Sequence, residues 1–180
     1  MKAIVAMAPN RVIGYKGDIP WNISDDLKWF KRLTMGIPYQ RALLNKPFNV
    51  EPTDNGGILV MGMKTYQKVG LLKGRYHYVL TRNPEKLALP KTDVMKYATF
   101  NDVILLSQVS YLWGNTWVIG GAEIYTLFMP QVLEVFVTYI ADEYEGDAFM
   151  PEFETQFTEQ ELLREEKDYS IVRYFGKRLI

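Results

Sequence analysis

Asp26 lies in the run Ser24-Asp-Asp-Leu-Lys-Trp-Phe-Lys-Arg-Leu-Thr34, whose spacing predicts a helix. Residues three, four and seven apart share one helix face. Asp26 therefore shares its face with Trp29, Phe30 and Leu33, and Leu27 widens the apolar surface. A carboxyl on an aromatic stripe has two readings. It is a hydrated first-turn acid that helps the helix dipole, or a partly buried acid whose raised pKa lets it supply or relay a proton near neutral pH. Periodicity alone leaves both open.

Three further positions suit anions. Gly120-Gly121 joins a strand end to a helix that starts near Glu123. Without side chains a ligand can come close to the backbone there, and a helix start favours phosphate; a tight turn is the plainer alternative. The full G-x-G-x-x-G and the Walker loop are both missing. Met61-Gly-Met-Lys-Thr-Tyr66 is a second strand-to-helix junction, with Lys64 and Thr65 offering a cation and a hydroxyl, and Thr81-Arg82 ends another strand. Singly these read as a surface Lys, a capping Thr and an exposed Arg. Together they put three anion sites at the carboxyl ends of neighbouring strands, the edge where open α/β sheets bind ligands. His77, the one histidine, falls inside a strand run with no Ser or Cys motif around it. It reads as a packed strand residue rather than a catalytic base.

The elements that must position these residues follow from the apolar pattern. Residues 3–7 read as a buried first strand, apolar on both faces as in a covered parallel sheet. Residues 9–22 form a loop, Ser24 is the expected helix N-cap, and Gly36 and Pro38 stop the helix. Strands are expected at 58–61, 76–81, 94–97, 116–119 and 134–140, with helices at 65–69, 101–109 and 123–129. Runs 158–166 and 169–179 suit an antiparallel pair at the sheet edge. The class is α/β: a single domain over residues 1–180 with a central, mostly parallel twisted β-sheet, antiparallel C-terminal edge strands and flanking helices. Residues 36–57, rich in Pro, Gly and polar types, read as a surface insertion with one helical turn near 41–44.

Composition bounds the function. The chain has 180 residues, no Cys, one His, and 21 basic against 21 acidic residues. Absence of Cys removes disulfides, thiol catalysis and cysteine zinc sites, and one His cannot build a multi-histidine metal centre. Zero formal charge gives no case for nucleic acid. No run approaches the ~18 apolar residues of a membrane span. A cytoplasmic domain with no metal, nucleic-acid or membrane partner is expected.

Four stretches together resemble dihydrofolate reductase. They are Arg11-Val-Ile-Gly14 leading to Ile19-Pro-Trp-Asn22 and Asp26-Leu-Lys-Trp-Phe-Lys31; Val60-Met-Gly62 with Lys64-Thr-Tyr66; Val118-Ile-Gly-Gly-Ala-Glu-Ile-Tyr125; and Val137-Thr-Tyr-Ile140 followed by Glu145-Gly-Asp147. The resemblance implies NADPH-dependent reduction of dihydrofolate in tetrahydrofolate biosynthesis, by a cytoplasmic monomer open to antifolate inhibitors. It implies Asp26 as the one ionisable side chain at the pterin, with Thr138 as its hydrogen-bonding partner and Trp21 holding a water beside it. Substrate contacts would come from Ile4, Val5, Ala6, Leu27, Phe30 and Ile119, with Arg75 pairing the tail's α-carboxylate. The cofactor would lie against Ala6, Ile13, Gly14, Ile19, Gly62, Ile119 and the segment Gly120, Gly121, Ala122, Glu123, Ile124, Tyr125, with a cis peptide expected at Gly120-Gly121. Its phosphates would be held by Lys64, Thr65, Thr81 and Arg82.

By the same resemblance residues 14–23 form a mobile lid hinged at Gly14 and Gly17, held closed through Asp147. The chain departs from the pattern at Met63, where a basic residue is usual, and in residues 70–74, which are one residue short and lack a Pro and an Arg. Ile19 stands where Met or Leu is common. Two other readings stand beside this one: a related pyrimidine reductase of riboflavin synthesis, and a non-catalytic folate- or nucleotide-binding protein on the same fold.

Overall fold

Strand β1 (Lys2–Met7) is buried along almost its whole length, because it is the interior strand of a sheet covered on both faces. Its side chains alternate: Ala3, Val5 and Met7 enter one apolar cluster, and Ile4 and Ala6 enter the other. The computed structural model describes residues 1–43, 56–83, 92–107 and 114–177. Most of the predicted insertion, residues 44–55, lies outside them.

The remaining strands are β2 (Val12–Gly14), β3 (Ile58–Gly62), β4 (Tyr76–Leu80), β5 (Met95–Ala98), β6 (Thr116–Gly120), β7 (Glu134–Ile140), β8 (Ala148–Phe149), β9 (Phe157–Glu165) and β10 (Tyr169–Lys177). Seven of them join β1 in one eight-stranded sheet, in the order β5-β4-β3-β6-β1-β7-β10-β9. Pairing is parallel from β5 to β7 and antiparallel through β10 and β9. This is the predicted architecture.

The helices are α1 (Ser24–Thr34), α2 (Tyr39–Ala42), α3 (Met63–Val69), α4 (Phe100–Ser107) and α5 (Ala122–Phe128). Trp29 and Leu33 of α1, with Met63 and Tyr66 of α3, pack into the cluster on one sheet face. Val103 of α4, with Tyr125 and Phe128 of α5, pack on the other. Burying Trp29 and Leu33 contributes roughly 1.5–3 kcal/mol each and fixes which way α1 faces. Gly36 takes φ +83° and closes the C-terminal turn of α1, its N–H donating to Leu33 O at 2.9 Å.

Two details differ from the sequence expectation. Ser24 is the first helical residue; the cap is Ile23, extended at φ −114° and making no side-chain cap bond. The loop at 9–22 contains β2, which pairs with β8 to form a separate two-stranded sheet. Three residues carry no periodicity to announce a strand, and its partner lies more than 130 residues away.

Candidate functional site

Strand register brings the chemistry-bearing residues to one edge. Ala6 of β1 stands beside Thr138 of β7, Met61 of β3 beside Gly120 of β6, and Gly62 beside Leu80 of β4. The carboxyl ends of β1, β3, β4 and β6 thus line up, and α1 packs on one face of the same sheet. Thr138 shares its strand face with Phe136 and Ile140, which belong to the same cluster as Trp29 and Leu33. That parity turns its hydroxyl toward α1.

Asp26 keeps some exposure as a residue, yet its carboxyl is enclosed by protein, and burial raises its pKa above the usual carboxylate value. The Thr138 hydroxyl beside it acts in the opposite sense by favouring the charged form. Burial is the larger effect. Thr138 Oγ1 is buried and makes no bond of good hydrogen-bond geometry. Tyr125 completes the recess from α5. Its hydroxyl donates to Ile4 O at 2.7 Å, and burial, then the Asp26 charge, push its pKa up, so the phenol stays neutral.

Trp21 is buried in the same cluster as Trp29 and Leu33 of α1, edge-on to Tyr144 with ring centroids 5.3 Å apart. Its indole Nε1 is also buried without a partner. Buried donors that lack a protein partner are where bridging water or ligand is expected. Phe30 is half-buried on the same helix face, and Leu27 is 57% exposed above it. Val5 differs from expectation as a pocket wall: its side chain packs in the cluster on the opposite sheet face. Strand alternation requires this once Ile4 and Ala6 face α1.

The double glycine lies where β6 meets α5, and the Gly120-Gly121 peptide is cis, as expected. Gly120 has φ +107°, and a side-chain carbon there would stand 2.9 Å from the Tyr125 ring. A side-chain carbon on Gly121 would lie 3.7 Å from Thr65 Oγ1, and one on Gly62 would lie 3.1 Å from Ile124 Cγ1. The starts of α3 and α5 therefore flank one backbone cradle. Ala122 and Glu123 open α5, and Ile119 and Ile13 pack at the margins of the two clusters. Lys64 and Arg82 are exposed, and Thr81 Oγ1 accepts from Asn83 N–H at 3.3 Å.

Residues 14–23, the expected lid, follow directly from β2. Asp147 N–H donates to Gly14 O at 3.0 Å, and Lys16 N–H donates to Asp147 Oδ2 at 3.0 Å. Beyond this, Ile19 is 48% exposed, and Asp18 pairs with Lys68 of α3 at 2.6 Å. Sequence reasoning offered no signal for that pair, or for the Tyr144 ring against Trp21.

Arg75 is almost fully buried between α1 and the residues that follow α3. Its Nη1 donates to Thr34 Oγ1 at 3.0 Å, its Nε to Lys73 O at 3.3 Å, and its guanidinium lies 5.9 Å from the Phe30 ring. Burial lowers its pKa from the usual arginine value. Among the described residues no carboxylate forms an ion pair with it. A nearly buried guanidinium in that state suits an anionic ligand.

Comparison with known proteins points the same way. The protein-family model for dihydrofolate reductase matches residues 1–39 and 49–175. The dihydrofolate reductase of Bacillus subtilis (strain 168) is 30% identical over 152 residues, covering 84% of this chain and 75% of that protein. That of Aedes albopictus is 29% identical over 167 residues, covering 86% and 80%. A dihydrofolate reductase from Enterococcus faecalis, solved with NADP(H) and RAB-propyl, shares the fold with a TM-score of 0.67 at 24% identity, covering 96% of this chain and 92% of its own.

Proposed function

The chain belongs to the dihydrofolate reductase family, and from that premise we propose that it reduces 7,8-dihydrofolate to 5,6,7,8-tetrahydrofolate with NADPH, using Asp26 as its one tuned acid. The observation that carries the reading is the Asp26 recess: a desolvated carboxyl, the Thr138 hydroxyl that acts on it and a buried Trp21 indole without a protein partner, at the carboxyl edge of the sheet.

In this reading the pterin's N3 and 2-amino edge meets the Asp26 carboxyl, which can pair with two donors at once. Its raised pKa keeps a proton available closer to neutrality than an ordinary Asp would, so it sets up protonation at N5 through a water held by Trp21. Phe30 covers one pterin face, and the carbonyls of Ile4 and Ile119 close the far end, the first already accepting from Tyr125. Arg75 takes the α-carboxylate of the glutamate tail.

The backbone cradle at Gly62, Gly120 and Gly121 fits a dinucleotide, since side chains there would meet Ile124, Tyr125 and Thr65. When bound, NADPH supplies the hydride that reduces pterin C6. The residues that would hold it are Ala6, Ile13, Gly14, Ile19 and Ile119 at the nicotinamide end, with Gly120 to Tyr125 along the pyrophosphate. Lys64, Thr65, Thr81 and Arg82 would take its phosphates; their basic character favours the 2′-phosphate form. Residues 14–23 close over the site and exclude water, a role supported by the Asp147 bond to Lys16 N–H.

The relatives matched are dihydrofolate reductases, which favours this reading over a pyrimidine reductase or a non-catalytic binder. The reading also makes the chain a single-domain cytoplasmic monomer whose pterin slot accepts antifolates. Among the described residues no helix is long and apolar enough to cross a membrane. The test is direct: purified protein with dihydrofolate and NADPH, followed at the nicotinamide absorbance. Decay that requires both compounds and is lost in Asp26→Asn supports the reading. No decay alongside tight folate binding overturns it in favour of the non-catalytic protein.

A further inference from the structure

His77 sits in β4, two residues after Arg75, and is 1% exposed. The reaction makes no use of it, yet both ring nitrogens are engaged. Nε2 accepts the backbone N–H of Leu72 at 3.0 Å, and Nδ1 faces Val94 O at 3.4 Å. A nitrogen that accepts an N–H carries no proton, so the ring is the neutral tautomer protonated at Nδ1, donating to Val94 O. Burial, the largest effect on this ring, and the Arg75 charge both favour that neutral form.

Leu72 belongs to the segment Gly70–Gly74 that runs from the end of α3 into Arg75. Both bounding glycines have positive φ, 62° and 73°, and the segment contains no Pro. Its own residues therefore leave its path loosely determined. At its far end Arg75 Nε donates to Lys73 O within the same segment, while Nη1 donates to Thr34 Oγ1 of α1. The segment is thus one of two supports for the guanidinium, and the Leu72–His77 bond fastens the segment to the sheet.

We propose that His77 is a positioning residue for the substrate's anionic tail: its neutral imidazole fixes residues 70–74 through Leu72 and so aims Arg75. The inference rests on the reading of Arg75 as the tail contact. It ties that contact to a side chain that touches no part of the substrate.

The test compares dihydrofolate with a 6-alkyl dihydropterin that has no benzoylglutamate tail, using kcat/KM for each. His77→Leu, which removes the acceptor, lowers the ratio of tailed to tail-less efficiency by about tenfold, the scale of one buried hydrogen bond. The change lies in KM for dihydrofolate, with kcat and the tail-less substrate unaffected. His77→Gln, whose side-chain oxygen can again accept from Leu72 N–H, restores most of the ratio. A folded His77→Leu protein with the wild-type ratio overturns the inference. So does an equal loss on both substrates, which is the mark of a merely structural role. Arg75→Leu separates the two layers. If it leaves the ratio unchanged, the tail reading of Arg75 falls; if it lowers the ratio while His77→Leu does not, only the positioning role falls. Nitrogen-15 NMR of the wild-type imidazole needs no variant: a neutral ring protonated at Nδ1 is expected, and protonation at Nε2 overturns the proposal.

Discussion

The Asp26 carboxyl and the Thr138 hydroxyl share one buried recess while pulling on the same proton in opposite senses: enclosure holds it on Asp26, and the hydroxyl loosens it. Thr138→Val keeps the shape and deletes the opposing influence, so the Asp26 pKa rises further. The pH profile of kcat/KM for dihydrofolate is expected to move to higher pH relative to wild type. A profile that stays in place would show the two groups to be uncoupled.

Asp26→Asn trades activity for stability. A general acid contributes on the order of 10²- to 10⁴-fold, and turnover at neutral pH is expected to fall by that scale. The sign for folding is opposite. A carboxyl whose folded pKa lies above its ordinary 3.8 stabilises the fold while protonated and loses that contribution as pH rises through the folded value. The variant has no such loss. Thermal unfolding should show it more stable than wild type at pH 8, with the difference shrinking toward pH 3.

Gly120→Ala tests the cradle. At φ +107°, with the Tyr125 ring 2.9 Å from the added carbon, either the backbone or the ring must move. The expected cost is about 2–4 kcal/mol, seen as a lowered unfolding temperature, together with weakened NADPH binding in a fluorescence titration.

Met63→Arg adds a cation to the start of α3, next to Lys64 and Thr65. If phosphates lie there, the KM for NADPH falls by about tenfold, the worth of one charge-assisted bond, and the preference over NADH widens. An unchanged KM would place the phosphates elsewhere.

Lys68 and Asp18 tie α3 to residues 14–23, the proposed lid, by a pair whose members are both more than half exposed. The Lys68 bond holds Asp18 below its ordinary pKa, so the pair persists at neutral pH. Exposed pairs are weak and screened by salt. Lys68→Ala is expected to speed NADPH release about two- to threefold in dilute buffer and by nothing measurable in molar salt, as read by stopped-flow displacement.

Much of this was legible in sequence because period and punctuation are local signals. The aromatic stripe put Asp26 on the helix face of Trp29, Phe30 and Leu33 but left open whether its carboxyl was hydrated or enclosed, and Gly-Gly after a buried run placed the turn into α5. What periodicity could not deliver was proximity. Nothing near Thr138 says that it faces Asp26; only the family pattern joined them. The strands β2 and β8 were missed because each is too short to show a period. Val5 was assigned to the pocket with its neighbours because it is apolar like them, but alternation sends it to the far face. Tyr125 was expected among cofactor contacts, and its bond to Ile4 O lies 121 residues away in sequence. His77 was read as packing, since a ring that accepts from a backbone N–H looks the same in sequence as one that accepts from nothing.

The register of β7 carries a larger consequence. Thr138 is matched to Ala6 on one side and to Ile171 on the other, so two ladders of opposite sense agree on its position. A slip by one residue on either side would present Val137 or Tyr139 to the acid instead, and the hydroxyl that opposes its protonation would be lost. Correct assembly of the sheet and the tuning of the acid are therefore one event.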